Sequence, residues 1–180
     1  MANGAEESLK RLIEGNGRFL SAGPAGDVSP ERRMYTAQNG QHPYAAIVTC
    51  SDSRVIPEII FSAGIGDLFV IRSAGNVVDG CTLGSLEYAV GHMGVPLVVV
   101  MGHTSCGAIA EAVKGLHERH SIEIIEDIRS GIGDETEPTK ASILNVKNSA
   151  RLISEDMSDL DVRVVGALYD IVSGKVEFLE

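Results

Sequence analysis

The 180-residue sequence contains no run of roughly 18 consecutive apolar residues, so no segment reads as a membrane-spanning helix. Its opening, MANGAEESLK, lacks the basic-then-apolar order of a secretory signal, and the expected location is the cytoplasm. Basic residues are scarce, with 15 Lys and Arg against 25 Asp and Glu and a net charge of -10. That balance excludes nucleic acid and anionic membranes as expected partners, because phosphate backbones are held by clustered Lys and Arg. Cysteine is scarce and odd in number, three in all, which argues against a disulfide framework and leaves metal binding, catalysis or plain burial. No internal repeat and no low-complexity tract is present. A chain of this length that is 44% hydrophobic is expected to form a single domain over residues 1–180 with a substantial core.

What is present has a clear order. The segment SLKRLIEGNGRFL sets Leu9, Leu12, Ile13 and Phe19 at helical spacing, and Ser29-Pro30-Glu31 reads as the cap and first turn of a second helix that stops near Gly40. The pattern then changes to continuous apolar runs: YAAIVTC at 44–50, LFVIRSAG at 68–75, PLVVVMGH at 96–103 and VRVVGALYD at 162–170. Runs of this kind suit strands buried on both faces. Helical patterns at about 82–93, 106–118, 121–130 and 139–157 lie between them, the order of β-α-β crossovers. The end, DIVSGKVEFLE, reads as a turn at Ser173-Gly174 followed by an antiparallel strand. The fold class is therefore α/β, a mostly parallel central β-sheet flanked by helices with a C-terminal antiparallel strand. GIGDETEPTK, at 131–140, reads as an exposed loop.

Two polar clusters fall just past strand ends. The first run closes on Cys50 and continues Ser51-Asp52-Ser53-Arg54, and the third closes on His103 and continues Thr104-Ser105-Cys106-Gly107. Sites in open α/β sheets are built at the carboxyl ends of strands, so the two clusters are expected to meet. Cys50, His103 and Cys106 make a three-ligand set for zinc that leaves a fourth position open, and a cysteine at a helix N-terminus has its thiolate favoured by the helix dipole. An extended chain past Cys50 would point residues 50, 52 and 54 to one side, bringing Asp52 and Arg54 beside the metal. Arg54 can hold Asp52 ionised through a bidentate pair. Asp52 then either accepts a hydrogen bond from zinc-bound water or takes the fourth metal position itself. The competing readings are a closed zinc site that only stabilises the fold, and unligated core cysteines beside a surface ion pair.

CSDSRV at 50–55 and GHTSCGA at 102–108 resemble the two signature segments of the β-class carbonic anhydrases. GDLFVIRSAGNVV, GSLEYAVGHMGVPLVVV and VVGALYDIVSGKVEFL also resemble stretches of that family. The resemblance implies a zinc-dependent carbonic anhydrase that hydrates carbon dioxide reversibly to bicarbonate and a proton by zinc-hydroxide attack. It implies one zinc ion per subunit on Cys50, His103 and Cys106, with Asp52 as a further ligand only in a closed state, and Asp52 and Arg54 as the catalytic pair. It further implies a substrate pocket from Gln41, Phe69, Ala74, Tyr88 and Gly107, part of it donated across a dimer interface. Ala74 stands where members often carry valine. A homodimer or an assembly of dimers is expected, with residues 1–40 as a helical arm packing on the partner subunit.

Proton export is assigned to no one of His42, His92, His117 and His120. His92 is expected near a helix end as a capping residue, and Cys81 near a helix start in a structural role. Within the enzyme class the rival substrate is a related heterocumulene, carbon disulfide or carbonyl sulfide. Outside it, the rival is a zinc-binding homologue without turnover.

Overall fold

The computed structural model describes residues 2–115 and 121–179. The chain begins with α1 (Ala2–Ala22) and α2 (Pro30–Asn39), then alternates β1 (Ala45–Cys50), α3 (Pro57–Ile60), β2 (Leu68–Ser73), α4 (Gly80–Glu87) and β3 (Leu97–His103). It continues through α5 (Gly107–Lys114), α6 (Ile122–Ile132), α7 (Pro138–Asp156), β4 (Arg163–Tyr169) and β5 (Val176–Leu179). Among the described residues no helix is long and apolar enough to cross a membrane.

The five strands form one sheet in the order β2-β1-β3-β4-β5, parallel throughout except for β5, which runs antiparallel to β4. Of the three inner strands, β1 and β3 are buried at every residue, whereas β2 at the edge is mostly half-buried. An edge strand has one neighbour, so an apolar run there need not be covered on both sides. Alternate side chains of the inner strands feed two cores. Ile47, Leu97, Val99 and Met101 pack with Leu12 of α1 and Phe61, while Val48, Val98 and Val100 pack with Leu86 of α4 and Val146 and Ile153 of α7. A third cluster caps the carboxyl ends of the strands, where Cys50 and Cys106 lie among Ile109, Ile125 and Ile128 from α5 and α6.

The elements stop and start where their capping chemistry dictates. Ser29 accepts from Arg32 N–H with Pro30 in the first turn, and α2 ends at Gly40. Asp79 caps α4 through Thr82 N–H, and Glu137 caps α7 through Thr139 and Lys140 N–H, so the expected loop at 131–140 is cut short from both sides. The helical pattern at 82–93 is α4 continued by a π-type turn over Tyr88–His92. The expected two-residue hairpin is wider, because Asp170 and Lys175 close the ladder and the Asp170 carboxylate accepts from the backbone and hydroxyl of Ser173. Sequence patterning gave no sign of α3, which is a single turn begun by Pro57.

The helix α1 packs on this chain's own core through Ala5, Ser8, Leu12, Gly15 and Asn16. Asn16 ties it in place, donating to the carbonyls of Ile60 and Gly174 and accepting from Val176 N–H. By contrast α2 buries no residue and is tethered by Arg32, which holds Asp67 Oδ1 at 2.9 Å and the Ile65 carbonyl at 2.8 Å.

Gly15 sits in α1 where a Cβ would overlap the Phe61 carbonyl oxygen. Alanine favours a helix over glycine by about 1 kcal/mol, but overpacking against backbone costs typically about 1–3 kcal/mol. The clash wins, and Gly15→Ala is expected to lower the urea unfolding midpoint with an unchanged slope.

The capping carboxylates set a pH dependence. Hydrogen bonds from backbone N–H groups, first Thr82 for Asp79 and first Thr139 for Glu137, hold both below the usual carboxylate range. A lowered folded-state pKa contributes stability that is present above the unfolded value of about 4 and is lost as pH falls through the lower folded value. Thermal melts should therefore move down in temperature as pH is taken below about 4, and Asp79→Asn should reduce that dependence.

Candidate metal centre

The parallel pairing of β1 with β3 delivers both polar clusters to one end of the sheet. Cys50 is the last residue of β1 and His103 the last of β3, and Cys106 occupies the N-cap position of α5 without a side-chain capping bond. The backbone between His103 and Cys106 turns back sharply, with Ser105 at a φ of 57°. The three ligand atoms come to lie within 4.8 Å of one another, all on buried residues.

The geometry suits a metal ion. The Cys50 and Cys106 sulfurs are 4.0 Å apart, far beyond a disulfide. A tetrahedral zinc with sulfur at about 2.3 Å would space two thiolates by about 3.8 Å. His103 Nδ1 lies 2.9 Å from the Thr104 carbonyl. A carbonyl only accepts, so Nδ1 carries the proton and Nε2 presents a lone pair. That Nε2 is buried without a hydrogen-bond partner. An orphaned buried nitrogen is costly, and a cation is the group that satisfies it. The Thr104 carbonyl is itself held, since Thr104 N–H donates to Tyr169 and its hydroxyl to Asp170 Oδ2.

The thiols prepare one anion. Cys50 is pulled well below the usual thiol range, first by the neighbouring Cys106, with the N–H groups of Asp52 and Gly75 adding to it and burial opposing. Cys106 is pushed up, first by Cys50 and then by burial. Two thiolates at 4.0 Å repel, so without a cation the pair keeps one proton. A dication removes that obstacle.

Asp52 and Arg54 stand beside this cluster, but the chain does not stay extended to bring them there. It turns, with Val55 N–H donating to the Asp52 carbonyl and Arg54 N–H to Asp52 Oδ1 at 2.9 Å. Arg54 then grips both carboxylate oxygens, Nε to Oδ1 at 2.9 Å and Nη2 to Oδ2 at 2.7 Å, and Nη2 also reaches the Ser105 carbonyl at 3.2 Å. The pair thus stitches the two loops together. Its first effect is to hold the Asp52 carboxyl far below the usual carboxylate range. Asp52 Oδ2 remains 3.9 Å from His103 Nε2.

The remaining expected pocket residues divide. Ala74 lies in the 3₁₀ turn after β2, next to Gly75, whose N–H points at Cys50 Sγ, and Gly107 follows Cys106 at the start of α5. Phe69 is paired with Ala46, four ladder steps from Cys50, or about 13 Å along the strand. Tyr88 is exposed with its ring 6.4 Å from Phe69 and stacked on His92 at 5.1 Å. Gln41 lies before β1, at the strand end opposite Cys50, in a surface groove with Arg33, Thr36 and Gly66. Gln41, Phe69 and Tyr88 therefore do not line the metal end of their own chain.

Other expectations are corrected or fall outside the described residues. Cys81 is exposed at the start of α4 and so has no core-packing role. His92 is exposed at the last position of the π-type turn, the helix end expected for it, with its ring stacked on Tyr88. His42 is exposed, 3.3 Å from the Asn39 carbonyl. His117 and His120 lie outside the described residues. Two contributors went unnoticed in the sequence, Gly75 and Arg72. The one available signal was a lone arginine in the apolar run LFVIRS and a glycine directly after it.

A family model described as carbonic anhydrase matches residues 45–176. Carbonic anhydrase 2 of Mycobacterium tuberculosis is 37% identical, over 92% of this chain and 88% of that protein. The β-carbonic anhydrase CafA of Aspergillus fumigatus superposes with a TM-score of 0.74 at 25% identity, covering 97% of this chain and 90% of that one. The chain belongs to the β-class carbonic anhydrase family. A chain from the crystal structures of two tetrameric β-carbonic anhydrases of Sordaria macrospora is also similar, with a TM-score of 0.67 at 27% identity over 83% of this chain and 91% of that one. Enzymes of this family use zinc, and among the described residues Cys50, His103 and Cys106 form a cluster able to take it.

Cys106→Ser is expected to abolish stoichiometric zinc after dialysis against a weak chelator, read by elemental analysis. Asp52→Asn should keep its zinc, and loss of the metal from that variant would move Asp52 into the ligand set.

Proposed function

We propose that this carbonic anhydrase hydrates carbon dioxide at the Cys50, His103 and Cys106 centre, with Asp52 and Arg54 as the catalytic pair. The observation that carries the reading is the buried, partnerless His103 Nε2 facing two close sulfurs, with an ionised carboxylate held 3.9 Å away. Cys50, His103 and Cys106 would hold one zinc ion. Zinc, when bound, lowers the pKa of a water and so supplies the nucleophile near neutral pH.

The protein's own groups do the rest. Two thiolates balance the ion's double charge and make the water harder to ionise than three neutral imidazoles would, so the acceptor beside it gains importance. Asp52 is that acceptor. Arg54 keeps it ionised and occupies both of its oxygens, which supports a fourth metal position left to water. The N–H groups of Gly75 and Asp52 spread the charge on Cys50. Bicarbonate leaves by displacement with water, and a proton must then be exported.

The placement of the remaining pocket residues supports an assembly. Gln41, Phe69 and Tyr88 lie away from their own chain's metal end, and a second copy placing them over this one would complete an apolar wall for carbon dioxide. The exposed Met34 and Tyr35 on α2, a helix with no buried residue of its own, suit an arm laid on that partner. His92, stacked on Tyr88, would travel with the wall.

Stopped-flow hydration on zinc-loaded protein from pH 6 to 9 tests the reading, with carbon disulfide hydrolysis run beside it. Carbon dioxide turnover that falls at least about tenfold in Asp52→Asn is expected. No turnover across the range would overturn the assignment, and turnover of carbon disulfide alone would replace the substrate.

A further inference from the structure

Arg72 is the only charged residue in the β2 run LFVIRS, and it stands opposite Thr49 in the ladder with β1. Its side chain is exposed and runs past the end of β1, where the guanidinium grips the backbone on both sides of Ser51. Nε donates to the Cys50 carbonyl at 3.2 Å and Nη2 to the Asp52 carbonyl at 2.6 Å. Arg54 approaches the same segment differently, through the carboxylate of Asp52 and the carbonyl of Ser105. One arginine therefore holds the side chain of Asp52, and the other holds the main chain that carries it.

We propose that Arg72 is a positioning residue for Asp52, clamping residues 50–52 so that the carboxylate stays with Arg54 instead of turning into the metal's ligand set. The proposal rests on the carbonic anhydrase reading. A guanidinium presents its donors in a rigid planar fork, so two carbonyls bound by one fork are fixed in relative orientation. The Cys50 carbonyl sets the peptide plane leaving the sulfur ligand, and the Asp52 carbonyl sets the plane after the aspartate. With both fixed, the direction of the Asp52 side chain is determined from behind. Without the clamp, Asp52 Oδ2 has little distance to cover, since it already lies 3.9 Å from His103 Nε2. A lysine, as a point donor, can hold one carbonyl but cannot fix the angle between two.

A merely structural role would predict something else. The Arg72 side chain and its bond to the Asp52 carbonyl are exposed, so water can replace it there, and its bond to the Cys50 carbonyl is only part-buried. The fold should survive, and the effect should pass through Asp52 alone.

The test uses Arg72→Gln and Arg72→Lys, each alone and combined with Asp52→Asn. The cobalt(II)-loaded proteins are titrated with thiocyanate by visible absorption, and the zinc-loaded proteins are assayed for hydration. Arg72→Gln should weaken both thiocyanate binding and kcat/KM by about 10- to 100-fold, with Arg72→Lys in between. In the Asp52→Asn background the same substitution should add almost nothing, because the group being positioned is gone. Wild-type thiocyanate affinity in Arg72→Gln would overturn the proposal, as would an equal loss with and without Asp52. If Arg72→Gln fails to fold, Arg72→Lys carries the same comparison. Should the wild-type protein fail to hydrate carbon dioxide, the activity reading falls, while the cobalt titration still decides the role of Arg72.

Discussion

The arrangement at the metal end depends on the parallel pairing of β1 with β3. Their register sets Thr49 against Met101, so Cys50 and His103 end adjacent strands one ladder step apart at the same edge. Antiparallel pairing would send them to opposite ends of the sheet. A slip of one residue would turn Cys50 to the other face, away from Cys106. Complete burial of both strands protects that register, because a slip would disturb buried side chains on both faces of the sheet.

From this pairing the charge problem follows. Two thiols and an imidazole are buried together with too few partners, leaving one nitrogen orphaned and one thiol unable to ionise. A site so built is unfavourable when empty, and the same features make it selective for a soft dication. The surroundings compensate only partly. Hydrogen bonds from Gly75 and Asp52 favour the Cys50 thiolate, and the Thr104 carbonyl fixes the histidine tautomer. Arg54 offsets the charge of Asp52, and Arg72 brings a positive charge to the rim in a chain with a net charge of -10.

Much of this was legible in the residues. The α/β class, the parallel sheet and the C-terminal antiparallel strand followed from apolar runs alternating with helical periods. The ligand trio followed from cysteine and histidine at the ends of two such runs, since zinc chemistry prefers those donors at that place in the fold. The capping residues Ser29 and Pro30 marked a helix start correctly, because a cap is a local bond. Other features were not legible. Arg72 looked like an interruption in a strand, and only its reach past the strand end reveals the carbonyls it holds. Asp52 and Arg54 were expected to meet through an extended chain, yet they meet through a turn closed by their own hydrogen bonds.

The pocket residues mark the boundary between the two kinds of information. Residue types and their order determined that this chain would carry a Cys-His-Cys cluster able to take zinc with an acid-arginine pair beside it, because those are short-range patterns attached to strand ends. The tertiary structure decided which of the expected residues share that end. It kept Ala74 and Gly107 next to Gly75 and Cys106 at the cluster and carried Gln41, Phe69 and Tyr88 away from it. The physical reason is the ladder itself, in which each residue advances the chain about 3.3 Å, so the four steps between Phe69 and the level of Cys50 set its ring at a distance from the sulfur cluster of its own chain.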